Sequence, residues 1–194
     1  MGLPCCFIRL AGCPYRCVYC DTAYAYDEPG EEIPIAAILD RLKPYPCRLV
    51  EITGGEPLAQ RETPELARAL QEAGYSVLVE TSGRLPINAL PEGVGIIMDI
   101  KTPGSGCSGF HPQNLARLRG NDSVKFVICG REDFEWAVRQ VRDLALVGMV
   151  EIYFSPAWER VAPSDLASWI LEAGLAVRLQ IPLHKRVWGA QRAR

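Results

Sequence analysis

Histidine is nearly absent, with two in 194 residues, and no second C-x2-C pair accompanies Cys17 and Cys20. A closed zinc site needs one or the other close to the first cysteines, so a structural zinc has little support. No run of eighteen apolar residues occurs, and no basic then apolar leader ends in a cleavage signal, which argues against a membrane span or secretion and makes the cytoplasm the expected location. The 23 acids and 21 bases are interleaved, leaving no basic stripe for a nucleic-acid backbone. A small molecule is the expected ligand. Linkers and low-complexity tracts are also missing, and with 48% hydrophobic residues the chain has material for one core, so residues 1–194 read as a single domain.

The eight cysteines do not read as a disulfide framework, because the chain is large, rich in apolar residues and without a secretory leader. Reduced thiols or metal ligands are expected instead.

Short β-branched, apolar runs recur at 6–10, 49–53, 76–81, 95–101, 124–129, 150–154 and 177–181, each the pattern of a buried strand. Helix-period segments at 34–43, 63–74, 133–148 and 162–174 lie between many of them. Thr63-Pro64 and Ser164 supply start signals, and three of the four end in glycine. Alternation of strand and helix predicts right-handed βαβ units and a parallel sheet, open or curled into a barrel, with its chemistry at the carboxyl ends of the strands. The connections 82–95 and 102–122 hold proline, glycine and at most a short helix near 114–118. Outer helices are therefore reduced or missing.

A strand buried on both faces should be almost wholly apolar, yet Arg9, Glu51, Glu80, Asp99, Lys101, Lys125, Glu151 and Arg178 all fall in or beside these runs. Such charges need partners. Internal ion pairs would supply them, and so would a polar ligand held in a barrel mouth.

The stretch GCPYRCVYCDT (12–22) carries Cys13, Cys17 and Cys20 with no fourth ligand in reach. Three thiolates can hold three irons of a 4Fe-4S cluster and leave the fourth iron open to an outside ligand. Gly54-Gly55, in TGGEP (53–57), would let backbone approach a ligand, whose ammonium group could be received by their carbonyls.

C-x3-C-x2-C after the first strand followed by TGGEP resembles the radical S-adenosylmethionine superfamily. FIRLAGCPYRCVYCDT, TGGEP, MDIKTPGSG (98–106) and LQIPLHKRVWG (179–189) narrow the resemblance to the 7-carboxy-7-deazaguanine synthase family, from Phe7 to about Gly189. The family also has a glutamine-glycine-glutamate-glycine segment ahead of the first strand that is not in this sequence, and an asparagine where Pro14 stands.

The resemblance implies a partial, open (β/α)6-type barrel and three cofactors: a 4Fe-4S cluster on Cys13, Cys17 and Cys20, S-adenosylmethionine on its open iron, and Mg2+ on Thr22. It makes Arg9 the partner of a substrate carboxylate, a role suited to a planar guanidinium; an ion pair with Glu51 is the structural alternative. Thr53 and His184 join Arg9 at the substrate, His184 beside Lys185. Tyr19, Asp21, Gly54, Gly55, Asp99, Lys101 and Ser155 fall to the cofactor side. Cys5, Cys6, Cys47, Cys107 and Cys129 lack ligand spacing and read as ordinary thiols.

The implied reaction converts 6-carboxy-5,6,7,8-tetrahydropterin to 7-carboxy-7-deazaguanine. An electron donor such as a flavodoxin reduces the cluster, a 5′-deoxyadenosyl radical takes hydrogen from C6, the ring contracts, ammonia leaves and the hydrogen returns to the cofactor. No side chain is assigned as acid or base, since positioning dominates such chemistry. A homodimer is implied as well. The alternatives are another small radical enzyme, such as a glycyl-radical activase, and a non-catalytic metal-binding interaction protein.

Overall fold

The structure is a computed structural model and describes residues 2–189. Seven strands lie side by side in chain order: β1 (Cys6–Leu10), β2 (Leu49–Gly54), β3 (Ser76–Thr81), β4 (Gly95–Asp99), β5 (Ser123–Ile128), β6 (Glu151–Pro156) and β7 (Arg178–Leu179). Every neighbouring pair is parallel. The sheet curls, because the segment after β7 reaches the loop after β1, with Lys185 Nζ 3.9 Å from Asp21 Oδ2. This is the expected open α/β barrel.

The helices are α1 (Tyr24–Asp27), α2 (Ile35–Leu42), α3 (Thr63–Glu72), α4 (Arg131–Asp143), α5 (Pro163–Ala173) and α6 (Leu183–Trp188). α1 and α6, of four and six residues, are too short to show a helical period in sequence. The helix expected over 133–148 begins two residues earlier and ends at Asp143. Beyond it Leu146 N–H closes a turn on Val141 O at 3.1 Å, and Ala145 takes a positive φ of 50°. The start signals also act differently from expectation. Thr63 is already inside α3 and donates its hydroxyl to Pro57 O, while proline occupies the first turn of both α3 and α5. At the other end of α5, Gly174 adopts the left-handed cap (φ 60°) that its position predicts.

The β3–β4 and β4–β5 connections contain only 3-10 turns, at Ile87–Ala89, Pro103–Ser105 and Pro112–Arg117, so these crossovers lack outer α-helices as expected. Two apolar clusters form behind the sheet. One joins β1–β3 to α2 and α3 through Val50, Ile52, Val77, Val79, Leu66 and Leu70. The other joins β4–β6 to α4 and α5 through Met98, Phe126, Phe154, Phe134 and Leu166, with the edge of Phe126 against both Phe154 and Trp136.

Because side chains alternate along a strand, the residues between these apolar positions face the other way. That inward set contains Arg9, Glu51, Thr53, Glu80, Asp99, Lys125 and Ser155. Lys125 Nζ lies 2.5 Å from Glu80 and 4.0 Å from Asp99, and Lys101 Nζ lies 2.7 Å from Asp99. Glu151 and Arg178 pair with each other, but at the exposed entry ends of β6 and β7, so they take no part in this interior network. Glu151 is the first residue of β6, beside Ser123, and the Arg178 guanidinium turns to it at the exposed surface although its backbone stands in register with Tyr153 and Lys125.

Candidate active site

The loop leaving β1 carries the three cysteines. Cys20 N–H bonds to Cys17 O at 3.1 Å, which tightens the C-x2-C turn. Burial, then a hydrogen bond to Cys20, raises the Tyr26 hydroxyl above its ordinary value. Burial likewise raises the Cys13 and Cys17 thiols, so they stay protonated until a cation displaces the proton. Among the described residues no group of three or more Cys, His, Asp or Glu closes around a single ion. A four-iron cube is larger than one ion and holds its thiolates apart, so an open three-thiol loop fits the cluster better than zinc.

Gly54 and Gly55 differ from expectation in what crowds them. A Cβ on Gly54 would stand 2.3 Å from the Leu10 backbone, and one on Gly55 1.8 Å from Gly12 O. The chain's own β1 exit, rather than a ligand, imposes both glycines, and Gly54 also sits at φ 122°. The Gly55 amide is already spent on Leu10 O at 2.7 Å, which leaves carbonyls for an ammonium group. Next to them Glu56, 2% exposed, accepts from Leu58 N, Thr81 Oγ1, Ser82 N and Ser82 Oγ. It ties the end of β2 to the end of β3.

Asp99, Lys101 and Tyr19 meet at the mouth. Lys101 Nζ bonds to Asp99 Oδ2 and lies 5.5 Å from the centre of the Tyr19 ring. Burial alone would lower Lys101, but the adjoining Asp99 carboxylate outweighs it and keeps the amine charged. Burial, then the Asp99 charge, raises the Tyr19 hydroxyl. Asp99 Oδ1 and Tyr19 OH are both buried without a hydrogen-bond partner. Orphaned polar atoms cost free energy unless a ligand satisfies them, so the three residues fit a polar cofactor such as S-adenosylmethionine. Ser155, 5% exposed, faces inward near the end of β6.

A second group forms around Thr22, which is 7% exposed. Its hydroxyl donates to Asp21 Oδ1 at 2.9 Å and accepts from Arg9 Nη1 at 3.3 Å. Arg9 therefore points to Thr22 rather than into the alternative pairing with Glu51. In register it stands beside Thr53. Lys185 lies near Asp21, and His184 feels Asp21, Lys185 and Arg9; burial lowers its imidazole below the ordinary value. The hydroxyl of Thr22 and the carboxylate of Asp21 are hard oxygen donors. They fit magnesium, which takes one or two protein oxygens and completes its shell with water or substrate.

Deeper in the barrel, burial and then the adjacent Glu80 carboxylate raise Glu51, while the Lys125 charge overrides burial and lowers Glu80. Glu51 holds the proton of the pair.

Several contributors carry no sequence signal of their own. Glu56 reads only as part of TGGEP. Cys107, expected to be an ordinary loop thiol, accepts the amide of Arg16, the residue before Cys17, at 3.4 Å. Cys6 and Cys47 meet at the opposite, entry end of the sheet.

The barrel, the three-cysteine loop on β1 and the glycines ending β2 together define a radical S-adenosylmethionine enzyme, and residues 7–154 match the Radical SAM superfamily. The chain is 40% identical to 7-carboxy-7-deazaguanine synthase of Koribacter versatilis, over 96% of this chain and 89% of that protein. It is 39% identical to the synthase of Chlorobaculum tepidum, over 96% and 86%. Within the superfamily, this chain belongs to the 7-carboxy-7-deazaguanine synthase family. The fold is also that of QueE from Escherichia coli, with a TM-score of 0.74 at 23% identity over 93% of this chain and 86% of the other.

Proposed function

We propose that the protein converts 6-carboxy-5,6,7,8-tetrahydropterin to 7-carboxy-7-deazaguanine with loss of ammonia, a radical lyase step in queuosine biosynthesis. What supports this most is the meeting of Arg9, Asp21, Thr22 and Lys185 beside the three-cysteine loop, with His184 next in the chain to Lys185. Two fixed cations, a neutral imidazole and hard oxygens suit a small anionic heterocycle. A protein substrate, as for a glycyl-radical activase, would not need them.

Cys13, Cys17 and Cys20 would hold the cluster, and Tyr19, Asp21, Gly54, Gly55, Asp99, Lys101 and Ser155 would line the S-adenosylmethionine site. Bound there, the pair supplies a carbon radical that removes one hydrogen atom from the substrate. The chain's own work is positioning. Arg9 grips the substrate carboxylate bidentately, Thr53 touches the pterin beside it, and His184, neutral at pH 7, can donate from one ring nitrogen and accept at the other. Thr22 would hold Mg2+, which orients the substrate. An external one-electron donor such as a flavodoxin, a homodimeric assembly and a cytoplasmic location complete the proposal.

Anaerobic turnover of the iron- and sulfide-reconstituted protein, with reductant, Mg2+, S-adenosylmethionine and the pterin, tests it by mass detection of the deazaguanine. Product is expected from the wild type, none from Cys17→Ala, and about a tenfold or greater rise in KM from Arg9→Gln, the scale of one charge-assisted contact. Cofactor cleavage without product would refute the substrate assignment.

A further inference from the structure

Residues 102–107 leave β4 directly after Lys101 and form a strap between α4 and the cysteine loop. One side of the strap hangs on Asp133, the third residue of α4 and 5% exposed. Its carboxylate accepts from Gly104 N at 2.8 Å and Cys129 N at 3.1 Å, and lies 2.8 Å from Thr102 Oγ1, whose one proton it shares with Val127 O at 3.0 Å. A Cβ on residue 104 would stand 2.5 Å from Asp133 Oδ2, so glycine there is required by the carboxylate's approach.

The strap is braced internally, with Ser105 Oγ donating to Thr102 O at 2.6 Å and accepting from Cys107 N at 3.0 Å. Its other side grips the cysteine loop. Ser105 O accepts the Val18 amide at 3.0 Å, and Cys107 Sγ accepts the Arg16 amide at 3.4 Å. These are the two backbone amides flanking Cys17. Arg84 Nη1 adds a bond to Cys107 O at 3.1 Å, anchoring the same point to the end of β3.

We propose that Asp133 is a positioning residue for the cluster: through the 102–107 strap it fixes the backbone on both sides of Cys17 and so the direction of that thiolate. The proposal rests on the reading of the cysteine loop as a cluster site. Asp133 touches neither cluster nor substrate and acts only through the strap. An acceptor-only group matters here because the Gly104 and Cys129 N–H groups point at different oxygens of the side chain, so an amide in its place would turn an N–H toward one of them.

Asp122 provides an internal control. It is 3% exposed and accepts from Ile96 N and Arg119 N, both at 2.8 Å, but at the entry end of the sheet. Asp122→Asn removes a comparable buried acceptor without touching the strap.

The test compares Asp133→Asn with Asp122→Asn in two measurements. Hydrogen exchange of the cluster-free protein should show the Arg16 and Val18 amides opening about tenfold faster in Asp133→Asn than in wild type, the scale of one lost charge-assisted bond. Asp122→Asn should leave them unchanged. After reconstitution, Asp133→Asn should lose iron to a chelator several times faster and show an altered spectrum of the reduced cluster, while Asp122→Asn matches wild type at similar thermal destabilisation. Thr102→Val, which deletes the hydroxyl between Asp133 and Val127 O at nearly constant shape, should move both readouts in the same direction and serves if Asp133→Asn does not fold. Unchanged exchange at residues 16 and 18, or equal effects from the two aspartates, would overturn the proposal. If the wild type binds no cluster, the cluster reading fails by itself, and the exchange contrast still decides whether the strap holds the loop.

Discussion

On the outward side of the sheet Val50, Ile52, Val79, Met98, Val124, Phe126 and Phe154 are wholly buried, whereas the inward side of the same strands carries Arg9, Glu51, Glu80, Asp99 and Lys125. The outer face buries apolar area against helices, which drives folding at about 25 cal/mol per Å². The inner face does the opposite: it keeps ions out of bulk water, at a cost that only close pairing offsets. A chain that needed only a stable barrel would fill the interior with aliphatic side chains. The contrast between the faces therefore marks the inside as a binding chamber.

Mutations can break this contrast from either side. The largest effect is expected outside. Phe126→Ala removes a fully buried ring packed on Trp136 and Phe154, and should cost about 3–5 kcal/mol in denaturant unfolding. Inside, Lys125→Met takes away the cation between Glu80 and Asp99. It should destabilise by about 2–4 kcal/mol, as breaking a buried pair does, and adding Glu80→Leu should recover part of the loss without restoring turnover.

Per pH unit, a smaller effect follows from Glu51. Burial, then Glu80, raise its carboxyl to about 8. The folded protein keeps a proton that the unfolded chain has already lost, so stability should fall as pH rises from the ordinary carboxylate range through that value, by at most about 1.4 kcal/mol per pH unit. Thermal unfolding between pH 5 and 9 would show this slope, and Glu51→Gln should flatten it. The smallest change belongs to the exposed pair Arg41 and Glu31, 2.9 Å apart, where Arg41→Ala should leave the melting temperature unmoved because water already screens the pair.

Much of this was legible in the sequence because it is local. Strand periodicity located all seven strands, although only Arg178–Leu179 of the 177–181 run forms β7. The spacing of Cys13, Cys17 and Cys20 suggested an open cluster site by itself, whereas Thr22 and Gly54-Gly55 took their meaning from the family resemblance. What could not be read is the set of contacts made by chain far apart. Nothing in SGCSG places Cys107 on the Arg16 amide, and Asp133 looks like any acid in a helix's first turn. Thr63 misled for the reverse reason: its start signal was genuine, but a carbonyl six residues earlier offered the hydroxyl a better partner than the helix amides.

The central claim is that the loop at 13–20 presents an open iron to a ligand held in the polar chamber. Electron paramagnetic resonance of the reduced, reconstituted protein, recorded with and without S-adenosylmethionine, tests it most directly. The account predicts a four-iron signal that shifts when the cofactor is added and is lost from Cys17→Ala. A four-coordinate zinc, or a cluster signal indifferent to the cofactor, would contradict it.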